Sequence, residues 1–220
     1  MSSFLVLVQD LHREVGAAGV QPSTVTSQAG EALRLVNWII SADTLIQDLW
    51  TDWKFLWAAS GNLATAAASN TVTNPSSLNF WDFETFRIDN DPIEVVEYHE
   101  IRREILDTTQ DKPSRVIIMP DNTIKLEPVA DAIYQISADY WKQPTVLAAN
   151  ADISAIPATY HKAILGRAMI LYANFEGAPE IRTQGEEFYI EQLDRLENHE
   201  LPNKEHARFK QGGHFEVVAS

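Results

Sequence analysis

Apolar residues recur at helical spacing from the start of the chain. Phe4, Leu7, Val8, Leu11 and Val15 mark one face of a helix over residues 3–15, which Gly16 and Gly19 end. The stretch "QPSTVTSQAG" is rich in turn and capping residues and reads as a connection. From about Glu31 to Trp57 the pattern is more regular. Leu35, Trp38, Ile39, Ala42, Leu45, Ile46, Leu49, Trp50, Trp53, Leu56 and Trp57 fall on one stripe, with Arg34, Asn37, Asp43, Thr44, Gln47, Asp48, Thr51, Asp52 and Lys54 opposite. At 1.5 Å per residue this predicts one amphipathic helix of roughly 40 Å. Trp50, Trp53 and Trp57 share the stripe with Leu45, Leu49 and Leu56. A base-stacking platform needs exposed rings with basic residues between them, whereas the charges here are Asp48, Asp52 and a single Lys54. Trp38, Trp50, Trp53 and Trp57 are therefore assigned to a bundle core or to a contact between subunits, where Trp is favoured. Phe55, off the stripe, is the better candidate for the subunit contact.

The segment "AASGNLATAAASNTVTNPSS" (58–77) carries no helical stripe and reads as a loop or loosely held hairpin, with Val72 in its one strand-like part. From Phe80 to about Val146 the period becomes two. "NFWDFETFRI" and "AIYQISADYW" alternate, "IEVVEYHEI" and "SRVIIM" are β-branched runs, and Asp121-Asn122 sits between two apolar runs as a hairpin turn. Five or so short strands predict a small β-sandwich or barrel. Helix returns at Ile156-Pro157, with Tyr160, Ile164, Ala168 and Leu171 on one face. "FEGAPE" breaks it, Gln184–Glu197 resumes it, and Pro202 closes it. The predicted fold class is α+β: a four-helix bundle with an inserted small antiparallel β-sandwich or barrel and an extended C-terminal tail. The corresponding segments are 1–57, 58–150, 151–202 and 203–220.

Composition narrows the functions open to this fold. The 220 residues suffice for a substantial core, and the apolar and charged fractions, 45% and 22%, are those of a globular protein. With no cysteine, disulfides, thiol nucleophiles and Cys-ligated metals are excluded, which fits an intracellular chain or one stabilised by assembly. A net charge of −14 argues against tight nucleic-acid binding, though not against an acidic wall that faces DNA without holding it. The N-terminal "MSSFLVLVQDLHREVG" has no basic segment before its apolar run and no small-residue cleavage site after it. It reads as an amphipathic helix rather than a signal peptide or membrane span.

No catalytic or cofactor signature survives inspection. "YHEIRRE" has Arg103 where a zinc-protease motif needs a second His after His99. Asp89 and Asp91 are spaced as in a calcium loop, but Pro92 follows and the glycine is missing. His199, His206 and His214 have no common helical spacing. "GGHF" lacks the Lys-Ser/Thr of a phosphate-binding loop, and no G-x-S-x-G elbow occurs. The chain is not expected to be an enzyme or to hold a metal or cofactor.

Several segments together resemble the head-to-tail adaptor (connector, tail accessory) proteins of tailed bacteriophages. These are the tryptophan cluster "LWTDWKFLW", the strands "KPSRVIIM" and "IKLEP", the stretch "YQISADYWKQPTVL" and the helix opened by "IP" in "ISAIPATYHKAILGRAMILYA", over roughly residues 30–197. The resemblance implies a ring of about twelve copies in the virion, at the head–tail junction, docked beneath the portal protein and extending the DNA channel toward a downstream neck or tail protein. Packaged double-stranded DNA would pass without specific binding, and no membrane would be involved. The C-terminal arm, slightly positive through Lys204, Arg208 and Lys210, would reach the portal or a neighbour, with Phe209, Phe215 and Val217 as apolar anchors. A tail-completion or minor tail protein is the alternative on the same architecture. A ligand-binding β-module or small-molecule enzyme, stacking its ligand on Trp81, Tyr140 and Trp141, is a third reading.

Overall fold

The computed structural model describes residues 2–61, 63–103 and 108–202. Among them are five α-helices: α1 (Phe4–Glu14), α2 (Gly30–Gln47), α3 (Tyr98–Ile101), α4 (His161–Glu176) and α5 (Pro179–Glu200). The strands are β1 (Trp57–Ala59), β2 (Leu63–Ala64), β3 (Ser69–Val72), β4 (Leu78–Trp81), β5 (Arg87–Ile88), β6 (Asp91–Pro92), β7 (Glu94–Glu97), β8 (Gln110–Asp111), β9 (Arg115–Ile118), β10 (Ile124–Ala130), β11 (Gln135–Ser137) and β12 (Asp139–Lys142). The fold is mixed α+β. Two compact units divide the chain, Met1–Phe55 with Pro144–Ser220, and Leu56–Gln143.

In the helical unit α4 is the central element, contacting α5, α2 and α1. Its sequence is apolar on most sides, and Ala163, Ile164, Ala168 and Met169 are fully buried, as a helix flanked by several partners requires. Two glycines set the approach of α5. A Cβ on Gly166 would lie 2.6 Å from the Tyr189 backbone N and 2.7 Å from the Gly185 carbonyl, and one on Gly185 would lie 2.9 Å from the Gly166 carbonyl. Backbones this close leave no room for a side chain. Gly177, left-handed at φ 70°, ends α4, and Pro179 in the first turn of α5 starts the return. α1 buries Phe4, Leu7, Val8 and Leu11, as its spacing predicts. The unpaired amides of its first turn are satisfied by the returning chain, Phe4 N donating to Asp152 O at 2.7 Å and Leu5 N to Asn150 O at 3.2 Å.

α2 departs from the sequence reading. The helix predicted to Trp57 stops at Gln47, and Trp57 lies in a strand. Its buried face is Leu35, Val36, Ile39, Ala42, Asp43, Ile46 and Gln47. Asp43 and Gln47, assigned to the polar outer face, are inside, while Leu45 and Leu49, assigned to the core stripe, are exposed. The physical reason is a hydrogen-bonded partner: the segment returning at 145–156 supplies polar groups that accept Asp43 and Gln47, so the helix turns that face inward.

The described residues of the β unit form three sheets, in the orders β1-β12-β4, β3-β10-β9-β7 with β8 beside β10, and β2-β11-β5-β6. Most pairs are antiparallel, with β7–β9 and β8–β10 parallel. Among the described residues none of the sheets closes. They share one core, which includes Trp81, Phe86, Val116, Ile118, Ile124, Leu126, Ile136 and Tyr140. The β9–β10 turn places Asn122 at φ 62°, and Ile118 pairs with Ile124, so the predicted hairpin forms where Asp121-Asn122 put it. Two predicted strands are interrupted instead. "NFWDFETFRI" contains a 3-10 turn at Phe83–Thr85, where Asp82 Oδ1 accepts from Glu84 N at 3.2 Å. "IEVVEYHEI" passes from β7 into α3.

Candidate interaction surfaces

The residues singled out from sequence scatter over distinct environments. Trp53 is fully buried. Its indole Nε1 donates to the Ile46 carbonyl at 3.2 Å, and its ring stacks on Phe55 at 5.2 Å. Ile46 O lies in the last turn of α2, where carbonyls lack helical partners, so Trp53 folds back and caps the helix that the stripe predicted it would extend. Trp50 is 38% exposed and its Nε1 donates to Glu197 Oε1 at 2.9 Å. Lys54 Nζ donates to the His199 carbonyl at 2.8 Å, so the turn after α2 meets the end of α5. Trp38 is half-buried, edge-on to Tyr172 at 5.5 Å and tilted against Phe175 at 5.8 Å. The guanidinium of Arg34 lies 4.5 Å from the Phe175 ring centre, a cation–π contact. Phe175 itself is 56% exposed. Lys204, Arg208, Phe209, Lys210, Phe215 and Val217 lie outside the described residues.

In the β unit the aromatic trio of the ligand-binding reading is split. Trp57, Trp141 and Phe80 are register partners across β1, β12 and β4, and so share one face of that sheet. Phe80 and Trp141 stack with centroids 4.9 Å apart. Tyr140 and Trp81 pair on the other face and are core residues, 7% and 3% exposed. Trp81, Tyr140 and Trp141 therefore do not line one site. His99 sits in α3 with Nδ1 2.8 Å from Glu97 Oε2. Asp89 and Asn90 adopt positive φ, at 49° and 72°, in the turn between β5 and β6.

A buried polar cluster in the helical unit was missed from sequence. The Asp43 carboxylate accepts from Gln47 Nε2 at 2.8 Å and from the Ser154 hydroxyl. Gln47 spans to Thr145, donating to its carbonyl at 3.1 Å and accepting from its amide at 3.0 Å. Ser154 Oγ accepts from Ile156 N at 3.0 Å, and the Ile156 carbonyl lies 3.0 Å from His161 Nε2. Burial, against the pull of these hydrogen bonds, raises the Asp43 pKa to about 6, and burial lowers that of His161. The available signal was two polar residues four apart within a run of core positions, which calls for a partner. Farther along, Asn150 Oδ1 accepts from Val25 N at 2.7 Å and from Thr24 Oγ1 at 3.1 Å. The Asp152 carboxylate accepts from Ala148 N and Ala149 N, each at 2.7 Å, which lowers its pKa.

These side chains pin chain to chain and leave exposed aromatic and aliphatic surface. Among the described residues, no three His, Asp or Glu side chains are grouped to hold a metal, and no helix is long and apolar enough to cross a membrane. No curated protein matches the chain. One family model, SU10 adaptor protein, matches residues 3–208, and so spans both units. The chain thus belongs to the SU10 adaptor protein family, a family of phage head-to-tail adaptors.

Proposed function

We propose that this phage structural adaptor forms a closed ring beneath the portal, extends the DNA channel at the neck of the virion and offers the tail its docking surface. The observation that carries this reading is the family match over residues 3–208. The four long helices act as the ring-forming bundle, supported by the contacts of α4 with α1, α2 and α5. The unit Leu56–Gln143 acts as a β-sandwich module turned toward the next component of the neck. About twelve copies would close the ring, the number that the resemblance to head-to-tail adaptors implies, through a head-to-tail contact of cyclic symmetry. A net charge of −14 suits a channel wall that repels the phosphate backbone, so that packaged DNA slides instead of sticking. The protein would work by shape and contact, without catalysis.

The C-terminal arm, 203–220, is the proposed clamp on the portal or on a neighbouring copy. The family match includes Lys204 and Arg208 and stops short of Phe209, Lys210, Phe215 and Val217. Mixing the protein with portal particles of its phage and imaging the product should reveal an added ring. Deleting 203–220 should reduce ring occupancy severalfold. Full docking without the arm would remove the clamp from this reading, and portals left bare by the intact protein would remove the reading itself.

A further inference from the structure

Resting on that ring reading, we propose that neighbouring copies join head to tail through two different faces of the helical unit, the outer face of α2 with the end of α4 on one copy, and the outer face of α5 on the next. α4 contacts both α2 and α5, leaving each with an outward face. The α2 face exposes Leu33, Arg34 and Leu45, joined by Phe175. Between Ala32 and Gln47 the only carboxylate is Asp43, and it is buried. An acid-free stretch is unusual in a protein of net charge −14, and it lets an acidic surface approach without repulsion. Glu31 and Glu176 flank this patch at one end, near Tyr172.

The α5 face is the complement. A shallow groove there is lined by Thr183, Glu186, Glu187, Ile190 and Glu191, with Ile190 65% exposed. Arg182 pairs with Glu186 and Arg195 with Glu191 along the helix, while Glu187 is exposed. An apolar residue rimmed by carboxylates fits an apolar patch bearing a guanidinium. Arg34 lies against the Phe175 ring through its π face, which leaves its edge N–H groups able to reach a carboxylate. Two unlike faces on one subunit make a heterologous contact, the kind that closes a ring without any two-fold axis.

The test is a charge swap read by imaging rings on portal particles. Arg34→Glu alone and Glu187→Arg alone should each lower ring occupancy at least about tenfold, since each juxtaposes like charges. Mixing the two variants in equal amounts should restore rings, because every contact in an alternating ring is then either native or doubly reversed. The double variant should assemble by itself. Rings that survive both single reversals, or losses that neither the mixture nor the double variant repairs, would overturn the proposed faces while leaving the ring. Wild-type protein that forms no ring on portals would overturn the ring reading and this inference with it.

Discussion

Burying Trp53 removes an indole from water and adds a second donor to the Ile46 carbonyl, which at the end of α2 accepts from Leu49 N at 3.3 Å. Trp57, four residues later, is 48% exposed on β1. Trp53→Ala should therefore cost about 3–5 kcal/mol and Trp57→Ala about 1 kcal/mol or less, both measured by urea unfolding. Equal costs would reject this assignment. Asp43 makes a pH prediction. Its folded pKa, about 6, lies above its ordinary 3.8, so the protonated carboxyl favours the folded state. The stabilisation is fully present below about pH 4 and is lost as pH rises through 6, a swing on the order of 3 kcal/mol. His161 acts oppositely: its lowered pKa gives stability that is present above the ordinary histidine value and lost as pH falls. Comparing wild type with Asp43→Asn between pH 4 and 7 cancels the histidine contribution. The wild type should lose stability relative to the variant as pH rises, and a constant difference would refute the buried-carboxylate account.

At the scale of elements, the α4–α5 hairpin depends on two glycines nineteen residues apart in sequence that meet across the helix interface. Gly166→Ala would drive a Cβ into the Tyr189 amide and the Gly185 carbonyl, groups that move only if the helices separate. The expected loss is about 1–3 kcal/mol or more, visible as a lower Tm, whereas a mutation at the exposed Ile190 should leave Tm nearly unchanged. Local signals made several elements legible in sequence. The spacing of Phe4, Leu7, Val8 and Leu11 drew α1, Gly177 and Pro179 drew the hairpin break, and Asp121-Asn122 drew the β9–β10 turn. The end of α2 was illegible because "DLWTDWK" contains neither Gly nor Pro, and because Trp53, seven residues on, keeps the helical spacing from Ile46 even as its indole folds back to that carbonyl. The glycine contact escaped for a different reason, since it exists only once α4 and α5 are side by side. The Asp43–Gln47 pair meets Ser154 from over a hundred positions away, so without that partner the two read as ordinary residues of the polar face.

Charge is the property that belongs to the molecule as a whole. At −14 the protein should retain no duplex DNA in a mobility-shift assay at about 0.1 M salt, because binding of that kind needs clustered cations that neutralise phosphates. Retention that weakens steeply with added salt would contradict the sliding-channel reading. The helical unit is also built from two sequence segments, on either side of the contiguous β unit. On a ribosome adding about 5–20 residues per second, α1 and α2 emerge on the order of ten seconds before α4, the helix that covers them. During that interval α1 and α2 have only each other, and the faces they turn to α4 stay uncovered, whereas residues 56–143 have every strand of their own core before α4 begins. Synthesis order therefore favours the insert maturing first and the helical unit closing last, once its second segment arrives.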